Sequence, residues 1–145
     1  MKTTLIEAVM AHLAAKEMGR QILPYTLALA VVKVKQATQA EMDCYAAEEQ
    51  KLVEQYAEKD GDGNITFRNG RFVFRDPADR PAYEAAKKRL GETMTDISLP
   101  RLTATPPENI SPAALEALRV FIRFKESCKQ KSIAEMKKVP QNLHS

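Results

Sequence analysis

The residues best spaced for chemistry run from Glu58 to Asn69, in the order Glu-Lys-Asp-Gly-Asp-Gly-Asn-Ile-Thr-Phe-Arg-Asn. A twelve-residue calcium loop places oxygen ligands at alternate positions, a glycine at the sharp turn and a bidentate glutamate at the end. Asp60 and Asp62 fall at positions three and five, Gly63 at the turn position and Ile65 at the apolar one. The ends depart: Glu58 stands where a short aspartate belongs, and Asn69 where the closing glutamate belongs. The pattern allows weak calcium binding through Asp60, Asp62 and Asn64. The favoured reading is a polar turn, rich in Asp and Gly for its geometry, that feeds a hairpin. No metal and no cofactor is expected.

Nucleophilic chemistry has little to draw on. The histidines are His12 and His144, the cysteines Cys44 and Cys128, and no CxxC, GxSxG, HExxH or glycine-rich phosphate loop is present. A Cys44–His12 pair between neighbouring helices is compatible with the order of the chain, although an interior cysteine is more often a small hydrophobe. Asp76, Asp79 and Glu84 cluster where a helix should begin, and favour its dipole there. No catalytic residue is assigned, and the chain is expected not to be an enzyme.

Charge is the next chemical signal. Residues 119–138 hold seven basic side chains against Glu126 and Glu135, more than the whole net charge of +3. Arg119, Arg123, Lys125, Lys129 and Lys131 are the candidate contacts to an anionic partner, either phosphate or an acidic protein face. On a helix, Arg119 and Arg123 would share one side and Lys125 and Lys129 another. No aromatic side chain is interleaved to stack bases, so specific nucleic-acid binding is not expected.

Elements must position these residues. The chain has 145 residues, 44% hydrophobic and 28% charged, which suits one globular domain with its own core. Thr4-Leu5-Ile6-Glu7 is a capping box, and the helix after it should bury Ile6, Val9, Met10, Leu13 and Met18. From Tyr25 to Lys59 there is no Gly or Pro, and apolar positions recur at three, four or seven. This predicts one helix of roughly 50 Å, overlong for the domain and in need of a second helix or a second chain along it. Asn69-Gly70 predicts a type I′ hairpin with Phe67 opposite Phe72 and Ile65 opposite Phe74 on one side of the ribbon, with Phe67, Phe72 and Phe74 buried. Asp76-Pro77 and Asp79 before Pro81 both offer helix starts, with Gly91 as the terminating glycine. Met94 to Leu99 could add a third strand, Thr103 to Asn109 reads as a loop, and Ser111-Pro112 opens a last helix with Leu115, Leu118, Phe121 and Ile122 on its core face. The expected fold is α+β and mainly helical, a long helix packed against N- and C-terminal helices with a small antiparallel sheet. Residues 1–124 form the domain, and residues 125–145 a basic helical extension and tail. The longest apolar run, Leu27 to Val32, is too short to cross a membrane, the N-terminus lacks the pattern of a signal peptide, and few cysteines suit a reducing compartment. A soluble, intracellular protein is expected.

The order of these pieces resembles a family of small uncharacterised proteins from tailed bacteriophages and Gram-positive prophages. The motifs that carry the likeness are Leu23-Pro24 before a long charged helix, Glu58-Lys59-Asp60-Gly61-Asp62-Gly63-Asn64, Phe74-Arg75-Asp76-Pro77, Ile97 with Leu99, and Ile110-Ser111-Pro112 with Leu115 and Leu118. They span residues 5–124. The resemblance implies a phage origin, the bacterial host cytoplasm or a virion as location, and no known enzyme activity. The function expected is that of a phage or prophage accessory protein that binds a protein partner, or associates with itself through the long helix, in a virion-associated or assembly role. An inhibitor of a bacterial defence, such as an anti-CRISPR protein, and a nucleic-acid-binding module are the alternatives.

Overall fold

The computed structural model describes residues 1–125. Thr4 organises its start. Its side chain accepts from the Glu7 amide at 3.2 Å, and the Glu7 carboxylate accepts from the Thr4 amide at 3.0 Å, closing the capping box that the sequence predicts. Strand β1 (Lys2–Thr4) leads directly into α1 (Leu5–Met18).

Helix α1 is central and packs against every other long helix. The face it buries is only in part the expected one: Val9 and Met18 are covered, but Ile6, Met10 and Leu13 are not. Ala8, Ala11 and Ala15 are fully covered, with Leu5, Val9, His12 and Met18 beside them. Ile6, Met10 and Leu13 stay between 36% and 49% exposed. Alanine brings neighbouring backbones close, so small side chains take the inner positions of a helix surrounded by others.

The expected single helix is two, α2 (Tyr25–Ala37) and α3 (Gln39–Tyr56), interrupted at Thr38. The Thr38 hydroxyl bonds back to the Val34 carbonyl at 2.7 Å, a contact that perturbs a helix locally. Fully buried, it is also 3.0 Å from His12 Nδ1. With the helix interrupted here and both pieces lying on α1, the length argument for a second chain falls away.

The hairpin forms as read: Asn69 and Gly70 have φ of 55° and 77°, and β2 (Phe67–Arg68) pairs with β3 (Arg71–Phe72), Phe67 opposite Phe72. The expected Ile65–Phe74 pairing does not occur. Residues 57–59 enter between the diverging strands, Lys59 bridging Ile65 and Ala57 bridging Phe74. Asp76 accepts from the Ala78 amide at 3.0 Å and opens a 3-10 turn over Pro77–Asp79, which runs into α4 (Arg80–Gly91). Gly91 ends that helix without a positive φ. Its role is close approach, since a Cβ built there would lie 3.0 Å from Ile6 Cβ on α1.

Strand β4 (Met94–Asp96) pairs antiparallel with β1, not with the hairpin. The expected loop after residue 102 opens with β5 (Leu102–Ala104), and the last helix, α5 (Pro112–Leu118), stops at Leu118 so that Ile122–Phe124 form β6, parallel to β5. A parallel pair needs a crossover, and α5 supplies it. The fold is therefore α+β and mainly helical, with its strands in three separate pairs. Leu27, Val31, Val34, Ile97, Leu118 and Ile122 are the large apolar side chains sealed in the main core. Leu5, Val9 and Tyr45 form a smaller cluster with Met42 and Leu90. No helix among the described residues is long and apolar enough to cross a membrane.

Candidate binding surfaces

The Asp60 loop folds around its own backbone. Asp60 Oδ1 accepts from the amides of Asp62 and Asn64 at 2.9 and 3.0 Å, and the Asp60 amide donates to the Asn64 carbonyl at 2.8 Å. Gly63 holds φ at 81°. The carboxylate that would lead a calcium site thus already caps a turn. Among the described residues no three carboxylate, histidine or cysteine side chains converge as a metal site would require.

His12 and Cys44 do not meet. His12 is buried against Thr38, whereas Cys44 is exposed on α3. Hydrogen count fixes the imidazole's role. The Thr38 hydroxyl has one hydrogen and donates it to Val34, so it must accept from His12 Nδ1. Of the acidic residues near residue 80, Asp76 is a cap.

The basic residues are partly regrouped. Arg119 follows α5 and Arg123 lies in β6 opposite Thr103, so they do not share a helical face as the sequence predicts. The chain becomes extended there because Val120, Phe121 and Ile122 reach into the core side of the β5–β6 pair. Both arginines line an open cleft of about 660 Å³, joined by Arg101, with Leu99, Phe121 and Phe124 as apolar wall. Arg101 comes from the preceding segment, and no spacing links it to the other two. Lys125 follows β6, its amide bonded to the Ala104 carbonyl at 2.9 Å. Lys129 and Lys131 lie outside the described residues.

A second basic surface was not anticipated. Arg68 and Arg71 stand directly opposite each other beside the hairpin turn. With Arg80 they line a depression of about 540 Å³ walled by Phe72, Phe74 and Pro77. Arg80 lies over the Phe74 ring, 5.1 Å from its centroid. Phe72, Phe74 and Tyr83 pack edge to face or tilted, with centroids 4.8–5.5 Å apart, and burial pushes the Tyr83 phenol above its ordinary value. Phe67, expected inside, is 65% exposed, and its ring is not among those that pair in this cluster. The signal for the arginine pair is present in Phe-Arg-Asn-Gly-Arg-Phe: a two-residue turn that sets Phe67 against Phe72 must set Arg68 against Arg71.

An apolar stripe runs along the outside of α2. Tyr25 is 80% exposed, and Leu29 and Val32, four and seven residues on, share its side of the helix; Ile22, fully exposed, lies before the helix begins. Leu27, Val31 and Val34 occupy the opposite, buried side. Comparison with known proteins found no matching family model, no matching curated protein and no matching solved structure.

Proposed function

We propose that this chain is a non-enzymatic accessory protein of a tailed phage or prophage that acts by binding another protein, in the host cytoplasm or on the virion. The phage setting comes from the sequence resemblance. The binding role is carried by one observation, the exposed α2 stripe of Tyr25, Leu29 and Val32. Single exposed apolar residues are ordinary, but a contiguous row is the mark of a surface that meets another apolar surface. Covering such a row returns about 25 cal/mol for each Å² withdrawn from water. The stripe borders Lys33 and Lys35 and carries no acidic side chain between Tyr25 and Ala37, which favours a partner whose apolar patch has an acidic rim.

The test compares the full chain with Tyr25→Ser/Leu29→Ser. Affinity capture from phage-infected cells and sedimentation velocity should reveal a stoichiometric protein partner or a second copy with the wild type. The double variant should lose it while keeping the wild-type melting temperature. A wild-type monomer that captures nothing, or a partner retained by the variant, overturns the proposal.

A further inference from the structure

We propose that the groove between β3 and the Pro77–Arg80 segment binds an extended, acidic segment of a partner protein. This rests on the protein-binding reading but uses a surface separate from the α2 stripe. Charge is the first observation. Arg68 and Arg71 are direct cross-strand partners, so both side chains stand on one face of the hairpin. Like charges so placed weaken a hairpin, and a two-residue turn holds them together. Among the described residues, none of Arg68, Arg71 and Arg80 takes part in an ion pair. Among the described residues, the groove lining carries these three cations and no acidic side chain. An anion placed there relieves a repulsion that the folded chain otherwise keeps.

Backbone geometry is the second observation. Among the described residues, strand β3 is paired only with β2. Antiparallel residues alternate between those that exchange hydrogen bonds with the partner strand and those that point away. Arg71 flanks the turn, and the Val73 amide donates to the Thr66 carbonyl at 2.9 Å. Phe72 between them therefore directs its N–H and C=O away from β2, and Phe72 itself lines the groove. A free strand edge receives the main chain of an extended peptide, and alternate side chains of that peptide point to one face. Carboxylates on that face meet guanidinium groups, whose planar fork matches them in pairs of hydrogen bonds. A single-stranded nucleic acid is served less well, because it calls for successive stacking platforms. Phe72 and Phe74 are half-buried, and the exposed Phe67 stands on the hairpin face opposite the arginine pair.

Fluorescence anisotropy of the full chain with a labelled eight-residue peptide alternating glutamate and valine tests this. The wild type should bind it roughly tenfold or more tightly than a lysine–valine counterpart, and the affinity should fall as salt rises. Arg68→Glu should weaken binding by roughly tenfold or more and also raise the melting temperature, because it converts a like-charge cross-strand pair into an opposite-charge one. Lost binding together with gained stability separates this effect from unfolding. No binding by the wild type at millimolar peptide, unchanged affinity in Arg68→Glu, a lowered melting temperature in that variant, or tighter binding of oligothymidylate than of the acidic peptide each overturns the inference. Tyr25→Ser/Leu29→Ser should keep peptide binding, so failure at the α2 stripe and failure at the hairpin are read separately.

Discussion

The Thr38 hydroxyl, the His12 imidazole and the Glu7 carboxylate each hold the fold through hydrogen-bond arithmetic. Thr38→Val keeps nearly the same volume but removes the acceptor for His12 Nδ1, leaving a buried donor unpaired. The expected cost is about 1–3 kcal/mol, measured by urea unfolding, with Thr38→Ser costing less because the hydroxyl remains. Equal losses in the two variants would mean that the methyl packing, not the hydroxyl, matters. Glu7 titrates below its ordinary value of 4.5, chiefly because its carboxylate accepts from the Thr4 amide and then from the Thr4 hydroxyl. A lowered folded-state value means that the charged carboxylate is favoured by folding. Its stabilisation is complete above the ordinary value and is lost as the pH falls through the lowered one. Glu7→Gln should therefore be less stable at neutral pH by under about 1 kcal/mol, since the side chain is exposed. Thermal melts of the two proteins should converge as the pH falls below the ordinary value of 4.5 and through the lowered one.

At the scale of elements, the hairpin shows how pairing and burial come apart. Phe67 and Phe72 are cross-strand partners on one face, yet only Phe72 reaches Phe74 and Tyr83, with ring centroids 4.8 and 5.1 Å away. Phe72→Ala should cost about 1–3 kcal/mol, less than the value for a fully buried ring because Phe72 is half-buried. Phe67→Ala should stay within about 0.5 kcal/mol of wild type, as exposed positions do. Chemical denaturation of the pair checks both, and a large loss at Phe67 would show that the tip packs against something. The capping box, the I′ turn and the Asp76 cap were readable because each is decided by neighbours within four residues. Gly91 was readable as a helix end but not for its reason, which is Ile6 on another helix.

At the scale of the whole molecule, the two sides of α2 do different work. Leu27 is 1% exposed and seals the core, while Leu29, two residues on, is 40% exposed on the outer stripe. Leu27→Ala should cost about 2–5 kcal/mol. Leu29→Ala should change the stability of the isolated chain by less than about 1 kcal/mol, because most of its effect belongs to a complex that is absent. Differential scanning of both variants tests this division, and a large loss at Leu29 would place it in the core. The same division explains the misjudged face of α1. Hydrophobicity ranks Met10 and Leu13 above Ala11 and Ala15, but closeness of approach among four neighbouring helices favours the alanines.

The sequence by itself determined what local chemistry decides: the class of fold, the capped start of α1, the hairpin turn and its register at Phe67 and Phe72, the proline-led helix starts, and the Asp60 turn. Tertiary structure decided the rest. The partner that meets Thr38 at the helix break is His12, twenty-six residues away. The β1–β4 and β5–β6 pairs join segments distant in the chain, and although Met94 to Leu99 could be read as a strand, its partner could not. The grouping of Arg101 with Arg119 and Arg123, and of Arg80 with the hairpin arginines, depends on where separate elements come to rest. A periodic pattern states which residues share a face, but which face is covered depends on the neighbours that arrive. For that reason the exposed α2 stripe and the arginine groove became visible only once the whole chain was folded.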